Sequence, residues 1–194
     1  VIRGGELLPD GRPRFRFLLV IVARQNGKTL LLRVLILYWM FIERHEYILG
    51  TSTSRDTAKE SWRAVITMAE QTDLLVDEMP AVHVREQMGE ESFWNTHGSM
   101  YRFAAPNRRA GRGRTLQRLV LDELREHKNR DTYNAAVNAG NAVSGFQAIA
   151  ITNQGDATSV VLDELRDSAL EYIETGAGDP RLGLLEWSAP NGCE

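Results

Sequence analysis

Phe15-Arg16-Phe17-Leu18-Leu19-Val20-Ile21-Val22-Ala23 runs into Arg24-Gln25-Asn26-Gly27-Lys28-Thr29, and from there into an apolar stretch from Leu30 to Arg44. The first block is β-branched and aromatic, the composition of a buried strand, and the last reads as an almost wholly apolar, buried helix. Only the hexapeptide between them is polar. A turn from strand to helix presents free backbone N–H groups and the positive end of the helix dipole, and together these bind phosphate. Within it, Gly27 lets the backbone approach closely, Lys28 reaches the β- and γ-phosphates of a nucleotide, and the Thr29 hydroxyl is placed to ligate magnesium. The common pattern GxxxxGK[ST] opens with glycine, where this chain has Val22. The reading therefore rests on the strand and helix around the loop more than on the pattern.

Working outward, Tyr47 to Thr51 reads as a short strand. Ser54 to Gln71 reads as an amphipathic helix, with Ala58, Trp62, Val65 and Ala69 three and four apart and Ser54 placed to cap it. Ala81 to Phe103 alternates polar and apolar residues, as short strands or a hairpin do. Ala105 to Thr115 is a Gly, Pro and Arg-rich loop. Leu116 to Leu121 and Phe146 to Ile151 read as strands, Asp131 to Asn141 and Ser159 to Thr175 as helices, and Leu184 to Trp187 as a last strand. Strands alternating with helices imply an α/β fold, a mostly parallel sheet covered on both faces.

The bulk composition narrows the class. The 194 residues suit one α/β domain with a sizeable core. Hydrophobic residues make up 43% and charged residues 25%, ordinary for a globular protein. A formal net charge of −3 means that nucleic acid is bound, if at all, by a local basic patch. The single cysteine, Cys193, gives neither an internal disulfide nor a zinc cluster and suits a reducing, intracellular setting. Val34 to Ile42 is far short of the roughly 20 residues of a membrane span. The N-terminus carries no signal-peptide pattern. With no initiator Met and an end soon after a strand, the sequence reads as one domain, residues 1–194, taken from a longer protein.

A phosphate loop that hydrolyses nucleotide needs an acidic pair at the end of a buried strand, one carboxylate for hydrated magnesium and one for the attacking water. The chain offers the pattern twice, in Leu119-Val120-Leu121-Asp122-Glu123-Leu124-Arg125-Glu126 and in Val160-Val161-Leu162-Asp163-Glu164-Leu165-Arg166-Asp167. Periodicity separates the copies. After Leu162 the second continues Leu165, Ala169, Tyr172, Ile173, a helical stripe with Ser159 or Thr158 placed to cap it, so its acids fall on a solvated face or in a first turn. The first copy follows a Gly-Arg loop and breaks into polar sequence after Leu124. Asp122 and Glu123 are therefore the expected catalytic pair.

Arg24-Gln25-Asn26-Gly27-Lys28-Thr29, without the leading glycine, resembles the Walker A variant of the ATPase (motor) domain of tailed-phage terminase large subunits. The resemblance extends from about residue 16 to 187, with Asp122-Glu123 matching Walker B. It implies a P-loop NTPase fold of the ASCE type and hydrolysis of ATP with Mg2+ to drive double-stranded DNA into a procapsid. In that family an arginine at the Arg24 position lies near the γ-phosphate; the plain alternative is a surface arginine of the loop. Gln25 and Asn26 complete the nucleotide-binding set. Ala148-Ile149-Ala150-Ile151-Thr152-Asn153-Gln154 resembles the family's coupling motif, with Thr152 and Asn153 as the γ-phosphate sensors. The alternative there is a simple turn that caps the next helix. Thr51-Ser52-Thr53-Ser54-Arg55-Asp56 resembles the segment after the family's second strand.

Arg102, Arg108, Arg109, Arg112, Arg114 and Arg118 crowd the approach to the Walker B strand. They fit a solvated loop, phosphate contacts with DNA, a subunit contact, or an arginine finger for a neighbour's ATP. In terminases a trans-acting arginine precedes Walker B, which makes Arg112 the first choice and Arg114 the second. The resemblance also implies a portal protein, a small terminase subunit and a homo-oligomeric ring as partners, the host cell cytoplasm as location, and a nuclease domain beyond this sequence. After Glu123 the chain reads Leu-Arg-Glu-His, which departs from the more frequent Ala-His and leaves His127 without a role. Other P-loop enzymes, such as a helicase-like translocase or a small-molecule kinase, and a non-hydrolysing nucleotide-binding module are the alternatives. No kinase lid or acceptor site is visible, and retention of Lys28 with Asp122-Glu123 speaks against a degenerate module.

Overall fold

Residues 5–52, 54–104, 115–126 and 143–188, with positions 134, 138 and 140, are described by the computed structural model. The strand ahead of the polar hexapeptide is β1 (Phe17–Val22), and α1 (Lys28–Leu37) follows it. Then come β2 (Tyr47–Thr51), α2 (Arg55–Glu70), a single helical turn α3 (Asp73–Val76), β3 (Val84–Arg85), β4 (Ser92–Trp94) and β5 (Met100–Ala104). The described chain ends with β6 (Arg118–Asp122), β7 (Gln147–Thr152), α4 (Val160–Thr175) and β8 (Leu182–Trp187). The helix expected over Asp131–Asn141 lies outside the described residues apart from three positions.

All strands join one eight-stranded sheet in the order β3-β4-β5-β2-β6-β7-β1-β8. Every pairing from β5 across to β8 is parallel, while β3 and β4 add an antiparallel edge. The α/β class and the mostly parallel sheet are as the alternation of elements implies. Side chains of a strand alternate between faces, and both faces here are apolar. Leu18 and Val20 of β1, Val120 of β6 and Ile149 and Ile151 of β7 pack under α1 and α2. Phe17, Leu19, Ile21, Leu119, Leu121, Ala148 and Ala150 pack under α4 through Val161, Leu162, Leu165 and Ala169.

Ser54 caps α2: its Oγ accepts a hydrogen bond from the Thr57 amide at 3.1 Å. The stripe Ala58, Trp62, Val65, Ala69 is buried as its spacing requires, with Trp62 at 0% exposure and its indole 5.5 Å from the Phe103 ring.

Three expectations need correction. The apolar helix begins at Lys28, stops being α-helical at Leu37, and continues as a π-helical turn over Tyr38–Ile42. It is not buried all round: Leu32, Ile36, Trp39 and Met40 meet the sheet, but Leu30, Leu31, Val34 and Tyr38 are exposed and Ile42 is 67% exposed. A helix laid on a sheet has only one face covered, so apolar content on every side does not imply burial on every side. On α4, Ile173 falls off the apolar stripe at 64% exposure. Ser159 stands at its N-cap, yet the Ser159 Oγ accepts from the Asp156 amide at 3.1 Å and not from the helix.

Candidate active site

A parallel sheet delivers the carboxyl ends of its strands to one edge, the edge where ligands of open α/β sheets bind. Here β1 ends in the loop 23–27, β6 in Asp122-Glu123, β7 in Thr152-Asn153 and β2 in Thr51-Ser52. In the loop, Gln25 and Gly27 take left-handed backbone angles, φ 63 and φ 77. Glycine adopts this conformation without strain, and Gly27 forms the N-cap of α1 with no side-chain cap and no acidic residue in the first turn. No side chain of the helix's own first turn offsets the positive end of α1, which favours an anion there. Arg24, Gln25, Asn26, Gly27 and Thr29 are exposed, and Asn26 Nδ2 donates to the Arg24 carbonyl at 3.2 Å.

Lys28 Nζ lies 2.9 Å from Glu123 Oε1, which joins the start of α1 to the first acidic pair. Glu123 sits at φ 56, a conformation that costs a non-glycine residue roughly 1–3 kcal/mol and is found where neighbours over-determine it. Those neighbours are visible: the Glu123 amide donates to the Ile151 carbonyl at 2.9 Å, and Arg125 Nε meets Glu123 Oε2 at 3.2 Å. Burial, and then the adjacent Glu123 carboxylate, push the Asp122 carboxyl above its ordinary value, while Lys28 pulls it down. The second Asp-Glu copy lies on α4, with Asp163, Glu164 and Asp167 exposed on the helix surface and Asp163 in its first turn.

Thr29 and Asp122 line the same small cavity, about 20 Å³, walled by Gly50, Thr51, Ser52 and Tyr101. Gly50 admits the tyrosine, since a Cβ there would stand 2.6 Å from the Tyr101 hydroxyl. Thr51 Oγ1 and Ser52 Oγ are buried without a partner among the described residues. Burial, and then the charge of Asp122, raise the Tyr101 hydroxyl above its ordinary value, so it stays protonated. No group of three or more His, Cys, Asp or Glu able to hold a metal occurs among the described residues. A hydroxyl and one carboxylate lining one cavity nevertheless suit Mg2+ in their donor chemistry, since that ion takes few protein ligands, all oxygen, and keeps water or phosphate in the rest.

Thr152 is fully buried and accepts from the Arg125 amide at 3.2 Å through its hydroxyl; Asn153 is buried with Oδ1 unpartnered among the described residues. Two arginines of the crowded segment are engaged elsewhere. Arg118 is buried against Trp39 and Glu43 and donates to the Gly145 carbonyl at 2.7 Å, while Arg102 donates to the carbonyls of Gly89 and Glu91. Arg108, Arg109, Arg112, Arg114 and His127 lie outside the described residues. Sequence reasoning missed Arg125 and Tyr101, whose proximity to the acids depends on the path of the backbone and on strand pairing.

The Gly27-Lys28-Thr29 turn after β1 and the Asp122-Glu123 pair at the end of β6, with β7 between the two strands, give the sheet order of the P-loop NTPase fold of the ASCE type. More narrowly, the chain has the fold of the ATPase domain of phage large terminases. It superposes on the HK97 bacteriophage large terminase with TM-score 0.73 and 19% identity, over 96% of this chain and 37% of that one. The large terminase ATPase domain of Thermus phage P74-26 matches with TM-score 0.57 and 18% identity, over 80% of this chain and 65% of that one. The large terminase of the thermophilic bacteriophage D6E, also solved in complex with ADP, matches with TM-score 0.60 and 13% identity, over 93% of this chain and 42% of that one. The chain therefore spans less than two thirds of each of these proteins. No family model matches the sequence, and no curated protein matches it.

Proposed function

We propose that the chain is the ATPase motor domain of a viral terminase large subunit, which binds and hydrolyses Mg-ATP to move double-stranded DNA into a procapsid. The observation that carries this reading is the Lys28–Glu123 contact of 2.9 Å at the carboxyl edge of a terminase-type sheet. The contact joins an ammonium group and a carboxylate, which supports a reading in which Lys28 binds phosphate and Glu123 is the hydrolytic acid. The ADP complex of the D6E terminase supports a nucleotide as ligand.

In this reading the backbone of Gln25, Asn26 and Gly27 and the free N-terminus of α1 cradle the phosphates, and Lys28 leaves Glu123 to reach the β- and γ-oxygens. Thr29 and Asp122 would hold Mg2+, which when bound neutralises charge on the phosphate oxygens. Glu123, freed of Lys28 on Oε1, orients a water and accepts its proton as the water oxygen attacks the γ-phosphorus and ADP leaves. Arg24 stands at the mouth of the loop beside the γ-phosphate, and Thr152 and Asn153 report on that phosphate from the end of β7. Arg112 of a neighbouring subunit supplies the transition-state charge in a homo-oligomeric ring. The portal protein and small terminase subunit are the partners, and the host cell cytoplasm is the setting. No described helix is long and apolar enough to cross a membrane.

The test is Mg-ADP and Mg-ATP affinity by calorimetry for the intact chain and for Lys28→Ala. A charge-assisted hydrogen bond of about 1.5–3 kcal/mol corresponds to a loss of roughly 10- to 150-fold in affinity. Unchanged affinity in Lys28→Ala would remove the phosphate-loop assignment.

A further inference from the structure

We infer that Arg125 is the positioning residue of Glu123: it fixes the direction of the Glu123 carboxylate once Lys28 has moved to the nucleotide. The inference rests on the hydrolytic reading above and adds a residue that the reading does not use. In the structure the Glu123 carboxylate is held at both oxygens, Oε1 by Lys28 Nζ at 2.9 Å and Oε2 by Arg125 Nε at 3.2 Å. These two partners are not equivalent. Lys28 belongs to the phosphate loop, and its side chain is the one that phosphates would recruit. When it leaves, Oε1 becomes available to a water, and Arg125 is the remaining partner of the carboxylate among the described residues.

Arg125 is itself held from several directions. Its amide donates to Thr152 Oγ1 at 3.2 Å, and Thr152 is fully buried at the end of β7. Its guanidinium Nη2 meets Glu126 Oε1 at 2.9 Å, and the Glu126 amide closes the turn on the Glu123 carbonyl at 3.0 Å. Leu124, between the two functional residues, is fully buried and anchors the turn in the core under α4. Arg125 also contributes to holding Asp156, in the loop after β7, below its ordinary value, after the hydrogen bonds from Thr158. A line of contacts thus runs from the end of β7 through Arg125 to the carboxylate at the end of β6. Movement of Thr152 would turn the Glu123 side chain, so the same residue that sets the base's direction links it to the loop that follows β7.

A merely structural Arg125 would be one half of a partly buried ion pair. In that case Arg125→Gln would change Tm modestly and leave kcat alone. The positioning role differs because it acts on turnover through Glu123 and not on nucleotide affinity. A misdirected base forfeits a large part of a proton-transfer contribution of roughly 10²–10⁴.

The experiment compares steady-state Mg-ATP hydrolysis, ADP affinity and Tm for the wild-type chain, Arg125→Gln, Arg125→Lys, Glu123→Gln and the double variant Glu123→Gln/Arg125→Gln. Arg125→Gln is expected to lower kcat by roughly 10- to 100-fold, with KM, ADP affinity and Tm near wild type. Arg125→Lys should recover part of the loss. In the Glu123→Gln background, Arg125→Gln should cost nothing further, because the residue acts only through the carboxylate. Wild-type kcat in Arg125→Gln alongside loss of turnover in Glu123→Gln would overturn the positioning role and leave the hydrolytic reading standing. An equal further loss in the Glu123→Gln background, or weakened ADP binding in Arg125→Gln, would also overturn it. Full turnover in Glu123→Gln would sink the hydrolytic reading itself, and Arg125 with it.

Discussion

Asp122 is a carboxyl whose surroundings disfavour its charge: burial raises it first, the Glu123 carboxylate raises it further, and Lys28 only partly offsets both. A raised value in the folded chain means that folding takes up protons, so the contribution of Asp122 to stability falls as pH rises from the ordinary carboxylate value through the raised one. Below that window the carboxyl is protonated in both states and the effect vanishes. Asp122→Asn, which removes the charge at constant shape, should therefore raise the Tm of the nucleotide-free chain at neutral pH, with a difference that shrinks to nothing as the pH is lowered through the window. A thermal melt series across pH checks this. A lower Tm for Asp122→Asn at neutral pH would show that the site holds the charge comfortably without a cation.

The two Leu-Asp-Glu-Leu-Arg stretches show how an element decides what a motif means. In β6 the stretch ends a strand whose residues Leu119, Val120 and Leu121 bury alternately on both faces, which delivers Asp122 and Glu123 to the sheet edge. In α4 the same letters wind as a helix, and only Leu162 and Leu165 point inward. That difference was legible, because periodicity after the acids is a local property. The cap of α2 was legible for the same reason: Ser54 Oγ does accept from Thr57. Removing this bond in Ser54→Ala should cost about 1 kcal/mol, roughly 2–4 °C in Tm, with nucleotide affinity unaltered. A melt indistinguishable from wild type would mean that the cap carries no weight. What local pattern could not give was coverage. Nothing in Leu30 to Ile42 says which apolar side chains meet the sheet, nor that the helix widens to a π-turn after Leu37. Arg118 likewise reads as one of a crowd of cations, and its pairing with Glu43 arises only from β6 lying near the end of that turn.

The sheet order turns separate motifs into a site. Lys28 and Glu123 are 95 residues apart in sequence and meet because β1 and β6 both pair in parallel with β7, later in the chain than either, which brings the carboxyl ends of the two strands to one edge. No periodicity reports such a crossover, so the sequence could nominate the two residues but not their contact. Arg125 was invisible for a related reason: it reaches Glu123 only because Glu123 takes φ 56 and turns the chain back on itself. Magnesium-dependent ATP hydrolysis by the intact chain, by Glu123→Gln and by Glu164→Gln, measured over a range of protein concentrations, addresses the whole scheme at once. The account predicts that Glu123→Gln lowers turnover by about 10²-fold or more while Glu164→Gln keeps it, and that specific activity rises with concentration as an arginine arrives from a neighbour. Turnover lost in Glu164→Gln and kept in Glu123→Gln would contradict it.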